Sequence, residues 1–238
     1  MMLKTRLAFG SAAIALVFLL TGCDSAGPLE PTRTEPISIE AGNAERANIE
    51  LDMGAGELNV NGGANKIIEG DFSYNISSYK PVVTSTINGS HAVITVKQGG
   101  HNSHLSGGGH NVWDLKLSDK MVLDLAINCG AGQAQLGLGS LDLRTLDIHM
   151  GAGQVDLDLN GHPSRDYDVN LAGGVGQVTV HLPQAVGIYA EAHGGLGSIN
   201  VSGLEKQGDH YQNSLYDKAK VNIRLKVHGG IGEINIIG

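Results

Sequence analysis

A chain of 238 residues with 41% apolar content is long enough for one large or two small domains with a real core. Glycine is abundant at 35 residues, but it falls in pairs between alternating apolar runs, which excludes a collagen-like repeat. The formal charge of −8, with no cluster of Lys and Arg, excludes nucleic acid as a partner, because neutralising phosphate needs clustered cations.

The N-terminus, "MMLKTRLAFGSAAIALVFLLTGC", has a basic start at Lys4 and Arg6 and an uncharged apolar stretch from Leu7 to Leu20. Small residues then precede Cys23. That is the layout of a secretory signal peptide over residues 1–22. The apolar stretch is shorter than the ~20 residues a membrane span takes. "LTGC", Leu20 to Cys23, resembles the lipobox of bacterial lipoproteins. The resemblance implies cleavage before Cys23 and acylation of its sulfur and new amine. Two or more acyl chains anchor stably, so the mature chain is expected on a membrane outside the cytoplasm. Asp24 resembles the inner-membrane retention signal of enteric-type Gram-negative bacteria. Processing would leave 14 basic against 24 acidic residues, a formal −10. Residues 23–44, with Pro28, Pro31 and Pro36, read as a polar, flexible tether. Lipidation consumes Cys23, which leaves Cys129 without a partner and the fold without a disulfide.

Residues 45–238 read as a single elongated β domain, with an N-terminal part over 45–110 and a repeat part over 111–238. One phrase recurs six times: "MGAGELNV", "CGAGQAQL", "MGAGQVDL", "GGVGQVTV", "GGLGSINV" and "GGIGEINI". Aligned on the second glycine of Gly-x-Gly, the copies fall at Gly56, Gly132, Gly153, Gly176, Gly197 and Gly232. Two and four residues later stand apolar side chains such as Leu58 and Val60, or Val155 and Leu157, with polar residues between. The residues before each turn alternate in the same way, as Leu123, Leu125, Ile127 and Cys129 do. Period-two alternation marks strands with one buried face, so each repeat is strand, glycine turn, strand. The glycines supply positive φ at a sharp corner. "LGSLDLRTLDIHM" fits two short strands rather than a helix.

A recurrence near 21 residues predicts an all-β, β-solenoid-like stack of Gly-x-Gly-turned strands, with equivalent residues ~4.8 Å apart. The alternative is an antiparallel β-sandwich or meander in which Gly-x-Gly forms hairpin turns. The long interval between Gly56 and Gly132 sets the N-terminal part outside the short repeat, with "IIEGDFSYN" and "HAVITVKQ" as ordinary strands.

"IELDMGAGELNVNGGANKIIEGDFSYN" (49–75) is similar to the N-terminal module of bacterial toast-rack proteins. "WDLKLSDKMVLDLAINCGAGQAQLGLGSLDLRTLDIHMGAGQVDLDL" (113–159) resembles its continuation. "RLKVHGGIGEINIIG" is similar to the C-terminal repeats of LiaF-like cell-wall-active antibiotic response proteins and of bacterial adhesin-like proteins. The resemblance implies a β-repeat scaffold in the cell envelope with a link to envelope stress. The better-known LiaF-like proteins carry transmembrane helices; this chain has the lipobox instead.

The glycines do not read as a cofactor site. A dinucleotide fingerprint needs a third glycine where Asp156 stands, with a helix following. The calcium-binding G-G-x-G-x-D pattern needs Asp where Val178, Ile199 and Ile234 stand. Among histidines, His101, His104 and His110 share a glycine-rich loop without a Cys or carboxylate to complete a metal set. His149, His193 and His228 stand two residues before a turn glycine and point outward in one register, with Ala172 breaking the row. Asp124, Asp142, Asp147, Asp156, Asp158, Asp166 and Asp168 supply many carboxylates. A glycosidase needs two at a set separation, and a glycan site adds a cation and an aromatic platform. Trp113 is the only Trp, and no such set assembles from the sequence. Cys129 points inward and reads as a small apolar residue. The expectation is therefore a non-catalytic, lipid-anchored envelope protein that binds or scaffolds, with Cys23 as its one modification site. No metal or cofactor is expected, and the partner would be an envelope protein or glycan besides the membrane itself. The alternative is a glycan-binding or glycan-cleaving β-solenoid.

Overall fold

Apolar alternation sets the strands throughout the computed structural model, which describes residues 29–100 and 109–238. In chain order they are β1 (Arg33–Ile39), β2 (Arg46–Ala64), β3 (Ile68–Tyr74), β4 (Val82–Asn88), β5 (His91–Lys97), β6 (Asn111–Ser118) and β7 (Val122–Gly137). Then follow β8 (Asp142–Asp158), β9 (Tyr167–His181), β10 (Gly187–Ser202), β11 (Glu205–Gln207), β12 (His210–Gln212) and β13 (Asn222–Ile237). A single 3-10 turn spans Ser77–Tyr79, and there is no α-helix among the described residues.

Six long strands stack in the order β2-β7-β8-β9-β13-β10, every neighbouring pair parallel. Register is held across the corner: Gly56 faces Gly132, then Gly153, Gly176, Gly232 and Gly197. The parallel solenoid-like stack is therefore the fold, and the antiparallel sandwich is not. Each long strand turns at its Gly-x-Gly into a first and a second arm. Inward residues of both arms, such as Ile49, Leu51, Leu58 and Val60 on β2, join one hydrophobic core. Short returns carry the second arm back to the next first arm. Their Leu138, Leu141, Leu159, Leu182 and Val186 are buried, and bonds such as Leu138 N–H to Asp158 O at 2.9 Å extend the ladder into them.

The inner corner position is volume-compensated along the stack. It holds Met53, Cys129 and Met150, then Gly173, Gly229 and Gly194. Where it is glycine, the first inward residue of the second arm fills the space: a Cβ on Gly173 would lie 3.6 Å from Val178 Cγ2, and one on Gly229 3.0 Å from Ile234 Cδ1.

Three differences from the sequence reading stand out. Residues 33–39, expected within the tether, form β1, which pairs antiparallel with β3 and buries Ile37. Glu35, Ile37 and Ile39 alternate there, and Pro36 is tolerated because β1 is an edge strand. In "LGSLDLRTLDIHM" residues 138–141 form a return and Asp142 to Met150 one strand rather than two: the register slips between Leu123 and Asp124, leaving Arg144 as the extra residue of a β-bulge in β8. The N-terminal part also contains a rung of the stack, split in two. β5 pairs parallel with the first arm of β2 and β6 with its second arm. This rung has no glycine corner: β5 ends at Lys97 and β6 begins at Asn111.

The split rung is closed by side chains. Gln98 Oε1 accepts from the backbone N–H of Gly54 at 2.9 Å and of Ala55 at 3.1 Å. Buried Asn111 donates from Nδ2 to Ala55 O at 2.7 Å and accepts from Trp113 Nε1 at 3.1 Å. Trp113 is fully buried, edge-on to Phe72. Antiparallel strands finish three of the four arm ends: β3 and β1 outside β6, β4 outside β5, and the β12–β11 hairpin against the start of β10.

Candidate functional site

Parallel, in-register stacking turns every outward position into a column. On the outer face of the second arms, one column reads Glu57, Gln133, Gln154, Gln177, Glu233 and Ser198. The next reads Asp114, Asn59, Gln135, Asp156, Thr179, Asn235 and Asn200. Amides within it bond along the stack: Asn59 Nδ2 donates to Asp114 Oδ1 at 2.8 Å, and Asn200 Nδ2 to Asn235 Oδ1 at 2.9 Å.

The outer face of the first arms carries the carboxylates, and each meets a structural partner. Arg144 caps Asp124 with two hydrogen bonds, and Thr145 adds a third at 3.0 Å. Arg165 pairs with Asp142 at 2.7 Å and Arg224 with Asp168 at 2.5 Å. Asp147 accepts from Asn170 and Asp166 from the Asn222 N–H, each at 2.8 Å. On the second-arm face, Asp158 accepts from the Asn160 N–H at 2.8 Å, and Asp156 lies 3.6 Å from His181. Burial alone would raise the Asp124 carboxyl; the hydrogen bonds from Arg144 and Thr145 outweigh it and hold its pKa below the usual value. These carboxylates serve as ladder rungs and ion-pair partners rather than as two acids facing across a groove.

The histidine row lies where the alternation put it. His193 faces His228 with rings stacked 5.2 Å apart, and the row continues through Ala172 to His149. Beside it the Tyr189 ring stacks on His210 at 4.7 Å and lies 5.3 Å from Tyr216. The Tyr189 hydroxyl donates to Glu191 at 2.8 Å, which together with burial pushes its pKa up to about 12 and keeps it a neutral donor. Arg224 and Lys226 stand in register with Tyr189 and Glu191 on the adjacent strand. The result is a patch of rings with a cation and acids beside it, at the β13/β10 end of the first-arm face. Sequence reasoning missed it because Tyr189, His210 and Tyr216 are distant in the chain. The available signal was the segregation of tyrosines, since Tyr74, Tyr79 and Tyr167 are core residues.

The other sequence candidates are placed as follows. Cys129 is buried at the inner corner, and burial pushes its thiol up to about 11. His110 anchors the end of its loop, its N–H donating to Asn75 Oδ1 at 2.6 Å and its ring Nε2 lying 3.1 Å from Ser73 Oγ. Cys23, His101 and His104 lie outside the described residues. Among the described residues no group of three His, Cys, Asp or Glu is placed to hold a metal ion, and no helix is long and apolar enough to cross a membrane.

The molecule is thus an open parallel stack with glycine corners, polar ladder faces and carboxylates held in ion pairs and hydrogen bonds. Comparison with known proteins gives the family. Residues 28–181 match the N-terminal domain of toast_rack, and residues 131–236 match the C-terminal region of the cell wall-active antibiotics response protein LiaF. The chain belongs to the toast-rack family, and these matches set it among proteins of the bacterial envelope. A solved structure from Clostridium sporogenes, described as a "putative cell adhesion protein", is 31% identical with a TM-score of 0.83, covering 86% of this chain and 98% of that one. A "putative adhesin" from Parabacteroides merdae is 13% identical over 85% of this chain and 95% of its own, at a TM-score of 0.25. No curated protein sequence matches the chain.

Proposed function

We propose that this chain is a lipid-anchored binding module of the bacterial envelope, held through Cys23, that takes its ligand on the outer face of the first arms. The observation that carries the reading is the convergence of Tyr189, His193, His210, Tyr216 and His228 at one end of that face. Tyr and Trp are scarce in this chain, and Tyr74, Tyr79, Tyr167 and Trp113 are buried in the core. Grouped rings give large contact area at low entropic cost, and neighbouring Arg, Lys and Glu side chains supply orientation. The match to the LiaF C-terminal region supports a link to the envelope-stress response, and the adhesion description of the Clostridium structure supports a ligand outside the cytoplasm.

The same patch favours a glycan as the ligand, because it supplies the aromatic platform, the cation and the acids that sugar hydroxyls and ring faces require. The test is calorimetric titration of the soluble chain from Asp24 onward with envelope polysaccharide fragments. Binding should weaken about tenfold in Tyr189→Ala, a loss of ~1.4 kcal/mol, while the thermal unfolding curve stays within a few degrees. Equal binding by the variant and the parent would remove the patch from the reading. Absence of any glycan binding would leave a protein ligand as the object of the same module.

A further inference from the structure

We propose that the stack is one rung short: the edge of β10 from Ala192 to Ser202 receives a further strand from a second polypeptide of toast-rack type, and that strand must carry Gly-x-Gly at its corner. This interface shares only His193 with the ring patch, and its backbone pairing does not depend on the ligand bound there.

The core is open at this edge. Ile199 faces inward in register with Ile234 and Val178, yet it is 36% exposed where Ile234 is 3% exposed. Val201 is half-buried, while its register partner Ile236 is closed off. β12 pairs with β10 only at Tyr189 and Ala190, so the corner and second arm of β10 have a strand neighbour on the β13 side alone. An unpaired edge invites another strand unless it is guarded. The other ends differ. β1 carries Arg33, Glu35 and Pro36, and β11 carries Glu205 and Lys206. β4 is a straight edge strand without a corner. From Ala192 to Ser202, "AHGGLGSINVS", there is no Asp, Glu, Lys or Arg, so a neutral strand is the complementary one.

Stereochemistry selects the corner. A Cβ on Gly232 would collide with the carbonyl oxygen of Gly176, and one on Gly197 with that of Gly232. The outer glycines repeat this, with Gly230 against Gly174 O and Gly195 against Gly230 O. Each rung thus directs two glycine carbonyls at the next rung, which approaches them with its own glycines. On β10 the carbonyls of Gly195 and Gly197 point to the open side. Only a strand lacking Cβ atoms at both positions can close on them in parallel register. The middle residues form an apolar ridge leading to the same place: Val175, Ile231 and Leu196, exposed by 53%, 52% and 71%. Leu196 ends that ridge and offers a side-chain contact to the incoming corner.

The test uses this chain's own rung as the probe. Residues 171–181, "LAGGVGQVTVH", align through β13 with Ala192–Ser202. A labelled peptide of that sequence should bind the soluble chain in fluorescence anisotropy and slow hydrogen exchange of β10 second-arm amides. The same peptide with Gly174→Val and Gly176→Val should bind about tenfold more weakly or worse, because each Cβ meets a carbonyl. Equal binding of the two peptides, or no binding of the first, overturns the proposal. So does slowed exchange elsewhere in place of β10. Sedimentation of the protein alone gives a further outcome. A dimer formed by antiparallel pairing of two β10 edges, with their amides already protected without peptide, would leave no place for a parallel Gly-x-Gly rung and overturn the proposal.

Discussion

Gly153 has φ of 134°, and a Cβ there would strike the carbonyl oxygen of Gly132 on the rung before it. The first requirement is readable from a repeated Gly-x-Gly; the second exists only once rungs are stacked, so the sequence carries no trace of it. Gly153→Val should cost roughly 3 kcal/mol or more, from a disallowed φ and a forced separation of β7 and β8. A melting temperature lowered by about 6 °C or more would register this, and an unchanged one would show that the corner yields. Asp124 makes a second prediction. Its folded pKa is depressed, so its contribution to stability is present above the unfolded value of ~3.9 and is lost as pH falls through the folded value. The parent should melt above Asp124→Asn at pH 7, and the gap should close below about pH 4. Acid titration of both melting curves measures it. Cys129 was legible as an inward residue because alternation alone gives its direction.

Strand elements were legible where alternation ran unbroken and obscure where a single residue shifted it. Arg144 moves β8 out of phase with itself, so Leu143 and Leu146 face the same core from either side of a bulge. The β5–β6 rung was hidden for a different reason: it has no glycine corner, and its two halves, ending at Lys97 and starting at Asn111, are not contiguous in the chain. What replaces the corner is Gln98 and Asn111, and polar side chains used once leave no repeat to find. Asn111→Ala should destabilise by about 1–3 kcal/mol, because it strips the Ala55 carbonyl of a buried donor and Trp113 Nε1 of its acceptor. Thermal or urea unfolding of the variant measures this; a loss below a few tenths of a kcal/mol would mean that water replaces the amide. β1 was read as tether because prolines dominate its surroundings, yet one edge strand accommodates Pro36.

At the scale of the molecule, fold class and the stacking of Gly-x-Gly corners were legible because one short pattern dictates every rung. The strand order was not, since identical rungs carry no label for their neighbours. The ring patch was not either, since it depends on β12 lying beside β10. The sequence-based anchor makes a prediction of its own. Cys23→Ser should abolish acylation and move the protein from the membrane fraction to the soluble one, as read by fractionation and a lipid-dependent mobility shift. A Ser variant that still partitions with membranes would end the lipoprotein reading.

The strand order also fixes when the structure can form. β13 follows β10 in the chain but lies between β9 and β10 in the sheet. During synthesis, β10 therefore emerges before the strand it adds to, and the Gly176 carbonyl waits for a glycine that is 56 positions away, at Gly232. Growth of the stack halts after β9 until the later strand arrives and both are laid down together. The segment from β10 to β13 thus folds as one late, cooperative event that closes a long loop, the slow kind of contact.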